Sequence, residues 1–232
     1  MMSINSDNKQ THTVSSFLEL VNTPFQGSVN AMCWSRVLDG DFAEIANKLK
    51  QRDDIAVIDE EELLSLSLSE KGIVARDIVL NDLQLLRDYG AAPTLNLLKC
   101  YERDVENPGF PTDVYSWHVD RSPIPTSTFL CTYYGASSDI VPNSQAEKKI
   151  LVPEIRRELR NLFSGNDDEF DVFLTENFYD LHYQAKANAN IVNLGIGHLW
   201  RLAVDHPESK VPPCIHRAPK EKVGESRLML IC

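Results

Sequence analysis

Trp117-His118-Val119-Asp120 is the stretch of this sequence whose residue types and spacing carry the most chemistry. On an extended backbone residues i and i+2 point to one face, so the His118 imidazole and the Asp120 carboxylate converge. One imidazole and one carboxylate are two ligands of a facial triad, which holds non-haem Fe(II) and leaves positions open for a co-substrate and dioxygen. The third ligand must then be a distant histidine on a neighbouring strand, and His216, 98 residues on, is the candidate. Arg227 follows 11 residues later inside the apolar run 226–231. A guanidinium in such a strand needs an anionic partner, and its fork matches a carboxylate through paired hydrogen bonds. Arg227 is therefore expected to hold the far carboxylate of a 2-oxo acid chelating the metal. Tyr133, on the strand after the His-x-Asp motif, is a core residue by type whose hydroxyl could also reach that co-substrate.

A second metal chemistry competes. Cys214 and His216 are again i and i+2, so with His118 and Asp120 they would make a closed tetrahedral set suited to Zn²⁺, with no position left for substrate. Open coordination predicts an oxygenase, whereas closed coordination predicts a structural or metal-handling protein. His12, His182, His198 and His206 lie in a polar tail, an aromatic strand, a glycine turn and a proline turn, and are read as structural or solvated. Gly195-x-Gly197 lacks the longer glycine pattern of a nucleotide loop.

The elements that must position these groups fall into two textures. Residues 1–13 are polar and aperiodic and read as a frayed tail. Asp39 to Leu49 offers a helix cap followed by apolar residues at spacings of three and four; 55–58 reads as a strand and 59–68 as a helix. A longer helix over 76–89 ends at Gly90, with Pro93 beyond. Residues 14–92 are thus expected to be mostly helical. After Pro93 the β-branched and aromatic content rises, with strands expected at 94–101, 115–119 and 126–134. A helical insertion occupies about 143–188, with helical periodicity over 146–163 broken or reopened at Pro153 and an acidic loop over 167–171. Short strands then return at 178–184, 189–194, 199–204, 213–217 and 226–231. The fold class expected is α+β: a double-stranded β-helix, that is, a cupin-like jelly roll, in one domain over 14–232 with a helical N-terminal region and a helical insertion.

His118-x-Asp120, His216 and Arg227 resemble the His-x-Asp, His, Arg signature of the 2-oxoglutarate- and Fe(II)-dependent oxygenases, in a chain whose C-terminal part looks like their double-stranded β-helix. The strings SWHVD, STFLCTYYGASSDIV, CIHRAP and SRLMLIC are similar to a bacterial protein family of unknown function. That family carries FHxD-like, CTYxGPGTEW-like, HRSP-like and terminal RLLL-like motifs. The similarity covers residues 30–232 and is concentrated in 95–232. The chain departs from it at Gly135-Ala136-Ser137-Ser138-Asp139, where the family has Gly-Pro-Gly-Thr-Glu, keeping polarity but losing turn rigidity. The resemblance implies Fe(II) and 2-oxoglutarate as cofactors and a dioxygenase acting on a small-molecule or protein substrate that it does not identify.

Composition narrows the partners. Of 232 residues 43% are hydrophobic and 25% charged, which excludes disordered and collagen-like classes. A net charge of −11 argues against a general binder of nucleic-acid backbones, which needs a basic face. Residues 201–232 nevertheless carry a net of +2, leaving −13 for the rest, so His216 and Arg227 lie in a locally basic segment that suits a small anion. Neither an export signal nor an apolar run of about 18 residues is present, so a soluble, cytoplasmic protein is expected. Five cysteines without a Cys-x-x-Cys pair make a poor disulfide framework, and Cys100, Cys131 and Cys214 read as small buried hydrophobes.

Overall fold

Ser16, Asp41, Asp59 and Ser69 each accept the backbone N–H three residues ahead, and so open α1 (Phe17–Asn22), α2 (Phe42–Lys48), α3 (Glu60–Ser65) and α4 (Glu70–Asp88). The last begins six residues before the helix expected from periodicity, because Ser69 supplies the cap that Arg76 lacks. It stops as predicted: Gly90 adopts a positive φ of 94°, and the Ala91 N–H donates back to the Leu86 carbonyl. The computed structural model describes residues 10–50, 53–105, 109–220, 222 and 224–232.

The strands are β1 (Thr11–Val14), β2 (Ala31–Trp34), β3 (Ile55–Ile58), β4 (Thr94–Leu98), β5 (Trp117–His118), β6 (Ser127–Tyr134) and β7 (Asp139–Ile140), then β8 (Ala146–Lys148), β9 (His182–Ala185), β10 (Val192–Asn193), β11 (Leu199–Ala203), β12 (His216–Arg217) and β13 (Arg227–Ile231). They form two sheets, ordered β1-β2-β11-β6-β13-β4-β3 and β10-β7-β12-β5-β9-β8. Every pairing is antiparallel except β1 with β2. The protein is thus α+β, with two antiparallel-rich sheets.

Period-two alternation divides each strand between two cores. Phe129, Cys131, Leu228 and Leu230 face the helices, packing with Ile45, Leu63, Val79 and Leu83. Leu130 and Met229 face the other way and meet Ile140 and Cys214 of the smaller sheet. Each leucine-sized side chain so buried is worth about 1.5–3 kcal/mol, so these two layers hold the sheets in place. The outer face of the smaller sheet buries Trp117, Val119, Val141 and Ile215. α5 (Pro153–Leu162) and α6 (Phe170–Glu176) have their own cluster of Leu159, Phe170, Leu174 and Tyr179, with Leu159 and Tyr179 beside His182.

Several expectations need correction. The supposed tail enters a strand from Thr11, because β2 offers it a long-range partner that polar composition does not reveal. The N-terminal region is not mostly helical but gives β1, β2 and β3 to the larger sheet. The strand expected over 115–119 shrinks to two residues, and 146–163 divides into β8, a 3₁₀ turn and α5, with Pro153 opening the helix. The acidic 167–171 stretch is not a loop: Asn166 and Glu169 form a capping box that starts a 3₁₀ turn leading into α6. Among the cysteines it is Cys33, with Cys131 and Cys214, that is buried, whereas Cys100 is half-buried.

Candidate metal centre

The smaller sheet places His216 of β12 opposite His118 of β5, and His118 opposite His182 of β9. Directly opposed residues share a face, so three imidazoles form a row across three strands. Trp117, Val119 and Ile215 turn outward, which leaves His118, Asp120 and His216 facing the larger sheet. From that sheet Thr128 of β6 donates its hydroxyl to Asp120 Oδ2.

The two rings lie 4.4 Å apart at 55°. His118 Nδ1 is 2.8 Å from the Ser116 carbonyl and His216 Nδ1 is 3.1 Å from the Cys214 carbonyl. A carbonyl only accepts, so both Nδ1 atoms carry the proton and both Nε2 atoms keep a lone pair. This is the outer-shell arrangement that orients imidazoles towards a cation. His216 Nε2 lies 3.6 Å from Asp120 Oδ2, and one ligand atom from each of the three residues falls within 4.8 Å of the others. Two nitrogen donors and one carboxylate oxygen fit a divalent transition metal.

Electrostatics prepares the same set. Burial, reinforced by the nearby charge on His216, pushes His118 down to about 4, so at neutral pH its lone pair is free. Burial alone would raise the Asp120 carboxyl, but His216, the Thr128 hydrogen bond and His118 outweigh it and hold the group below its ordinary value. His182 is pushed down to about 3, first by burial and then by His118 and Lys149.

Residues next to the ligands brace them, and sequence reasoning missed these. Arg217 lies 4.3 Å from the Trp117 ring centroid and donates to Asp139 Oδ2 at 3.1 and 3.2 Å, tying β12 to β5 and β7 from behind. Lys149 Nζ donates to Ser116 Oγ at 2.7 Å, beside the carbonyl that orients His118. Arg121 pairs with Asp180 and Asp205, while the Asp205 N–H donates to the Asp120 carbonyl at 2.8 Å. The available signal was that Arg217 and Arg121 directly follow a ligand, and that Ser116, the partner of Lys149, lies two residues before His118.

The other expected site residues fare differently. Arg227 is 8% exposed on β13, and its Nε donates to the Ala136 carbonyl at 2.6 Å while Nη2 lies 3.2 Å from Met229 Sδ. Gly135 makes this crossing possible: its φ is 84°, and a Cβ there would stand 2.6 Å from the Ser226 carbonyl oxygen. Tyr133 is a correction. It lies in the helix-facing core, stacked on Phe42 at 5.4 Å, and donates to Asp82 Oδ2 at 2.8 Å, so it turns away from the metal ligands. Plain alternation puts it there: Tyr133 follows Phe129 and Cys131 on the helix-facing side of β6, whereas Thr128 and Leu130 take the other side. Asp82 also takes both Arg36 Nη atoms, at 2.7 and 2.8 Å, in a buried pair. Cys214 is the second correction. It shares the sheet face as expected, but among the described residues the convergent group is His118, Asp120 and His216 without it. Its short side chain stays among Ile140, Leu130 and Met229, and in the metal-free protein burial pushes the thiol above its ordinary value.

A cleft of about 270 Å³ opens on His118 and Asp120, walled by Val114, Val119, Phe178 and Leu181 with His182 beside them. Among the described residues no helix is long and apolar enough to cross a membrane. No protein-family model, curated protein or solved structure matches this chain.

Proposed function

We propose that this chain is a non-haem Fe(II)- and 2-oxoglutarate-dependent oxygenase of the hydroxylase type, built on a double-stranded β-helix. The observation that carries the reading is the convergence of the His118 and His216 Nε2 lone pairs with the Asp120 carboxylate beside an open cleft. The jelly-roll reading is supported by strand order. Taking β4, β5, β6, β7, β10, β11, β12 and β13 in turn, only β7 and β10 follow one another within the same sheet. Every other connection crosses between sheets, winding the two together as a jelly roll does. On this reading β1, β2 and β3 extend the larger sheet, and β8 and β9 extend the smaller one.

When bound, Fe(II) with a 2-oxo acid and dioxygen would supply oxidative decarboxylation coupled to C–H hydroxylation, one oxygen atom of O₂ going to the new carboxylate as CO₂ leaves and the other into the substrate C–H bond. The chain's own residues do the rest. His118, Asp120 and His216 would hold the ion. Thr128 fixes the Asp120 carboxylate by occupying Oδ2, and the Ser116 and Cys214 carbonyls keep both imidazoles in the ligating tautomer. Arg227 brings a positive charge into the space between the sheets, where its distal nitrogens suit a carboxylate. Arg227 Nη2 lies 3.2 Å from Met229 Sδ and 3.5 Å from Ser138 Oγ, and the residue is 8% exposed.

Metal-free protein titrated anaerobically with Fe(II), then with 2-oxoglutarate, tests the reading. One ion per chain is expected, with 2-oxoglutarate binding only once the metal is present. His118→Ala and Asp120→Ala should abolish metal binding while retaining the far-ultraviolet spectrum. If both variants bind Fe(II) as tightly as the parent, the centre is misassigned.

A further inference from the structure

The larger sheet ends at β3, and the outer side of that strand is open. The Lys99 N–H donates to the Asp54 carbonyl at 2.8 Å, and β3 runs antiparallel to β4 with Ile55 opposite Leu98 and Val57 opposite Asn96. Hydrogen-bonded pairs alternate along such a ladder. Residues 54, 56 and 58 therefore bond to β4, while the N–H and C=O groups of Ile55 and Val57 point away from the sheet. Among the described residues no strand lies beyond them. Their side chains are uncovered too: Val57 is 64% and Ile55 42% exposed, whereas Ala56 and Ile58 are buried against the helices.

An apolar edge is a template for pairing, which proteins ordinarily block with charge, proline or brevity. The other three edges are blunted in this way: β10 has two residues, β8 carries Glu147 and Lys148, and β1 is the polar Thr-His-Thr-Val. β3 is Ile-Ala-Val-Ile, with none of these devices inside it. Its charges stand at the ends, Asp53 and Asp54 before it and the acidic run 59–62 after it. Those acids select the partner. Two copies paired antiparallel, with Ile55 of one opposite Val57 of the other, would set Asp53 against Asp59 at both ends, and like charges directly opposed are destabilising. Lys50 and Arg52 offset the acids upstream, so the uncompensated charge lies at the C-terminal end of β3. We propose that β3 takes up an extended peptide segment of another protein, running antiparallel to it. Apolar residues of that segment oppose Ile55 and Val57, and basic residues on their N-terminal side meet the acidic run.

Fluorescence polarisation of a labelled Arg-Lys-Thr-Val-Thr-Val-Lys peptide against the full chain tests this. In the antiparallel register its valines oppose Val57 and Ile55, and its first two residues meet the acidic run. Saturable binding is expected, weakening as salt screens the acids. N-methylating both valines removes the N–H donors to the β3 carbonyls and should weaken binding by about tenfold or more. Exchanging the three basic residues for glutamate should weaken it to a similar extent. Val57→Lys changes an exposed side chain, leaves the ladder to β4 in place, and should weaken the parent peptide about fivefold. Val57→Pro should abolish binding, because the ring removes an outward N–H and obstructs the edge; if that variant folds poorly, Val57→Lys decides. Absence of binding at about 1 mM peptide, equal binding of the N-methylated or charge-reversed peptide, or unchanged affinity in Val57→Lys would overturn the proposal. A dimer in sedimentation that Val57→Lys splits would also overturn it, since a second copy would then occupy the edge.

Discussion

Replacing His182 by leucine should change how stability depends on pH in a calculable way. In the metal-free native protein this imidazole is pushed down to about 3 from an ordinary value of 6.5. The unfolded chain therefore takes up a proton below pH 6.5 that the native state refuses, and the native state loses stability as pH falls. The loss begins at the unfolded value and levels off below the folded one. Each pH unit inside that window is worth about 1.4 kcal/mol, so at pH 5 His182 costs about 2 kcal/mol relative to pH 7.5. His118, pushed down to about 4, adds a similar cost over the same range. The parent should thus lose about 4 kcal/mol from these two groups, and His182→Leu about half of that. At pH 7.5 the variant should be at least as stable, because it removes a buried nitrogen without a partner. Urea unfolding in the presence of a chelator at pH 7.5, 6.5, 5.5 and 5.0 reads the difference directly. Parallel stability curves for parent and variant would refute the burial argument for His182.

Three further outcomes follow from named contacts. Asp82→Ala strands the Arg36 guanidinium, whose side chain is 9% exposed, and should cost about 3–5 kcal/mol in denaturant unfolding; a cost under about 1 kcal/mol would mean that the pair is not desolvated. Cys214→Ala should leave the dissociation constant for Fe(II) within about threefold of the parent, since a non-ligating side chain contributes little to the site, and a loss of tenfold or more would restore the thiolate as a ligand. Gly135→Ala forces a Cβ against the Ser226 carbonyl at φ 84° and should cost about 1–3 kcal/mol, lowering the calorimetric midpoint by several degrees. An unchanged midpoint would show that the turn does not press on the start of β13.

What the sequence discloses and hides follows from the range of the interactions. The convergence of His118, Asp120 and His216 was legible because strand periodicity fixes which side chains share a face. α4 was legible at its C-terminus, where Gly90 acts locally. β1 was not, since Thr11-His12-Thr13 becomes a strand only through pairing with residues 31–34. Tyr133 falls on the other side because alternation along β6 sets it with Phe129 and Cys131, and that Thr128 rather than Tyr133 faces Asp120 depends on long-range pairing. Cys214 was placed on the correct face, but a shared face does not give equal reach, and a thiol ends well short of an imidazole nitrogen. His182, read as structural, is indeed buried, but its place opposite His118 is a relation between residues 64 apart that no local pattern encodes.

The brevity of β5 and β12 bears on when a metal could enter and leave. Each is two residues long, and they meet at the single pair His118 and His216, joining positions 98 residues apart. Closing so long a loop for one contact is entropically unrewarding early in folding. The ion would thus be captured by a nearly finished scaffold, unlike the metal of a zinc finger, which assembles its own. Its residence time would then be set by local opening of those two short strands, well below the free energy of unfolding the larger sheet.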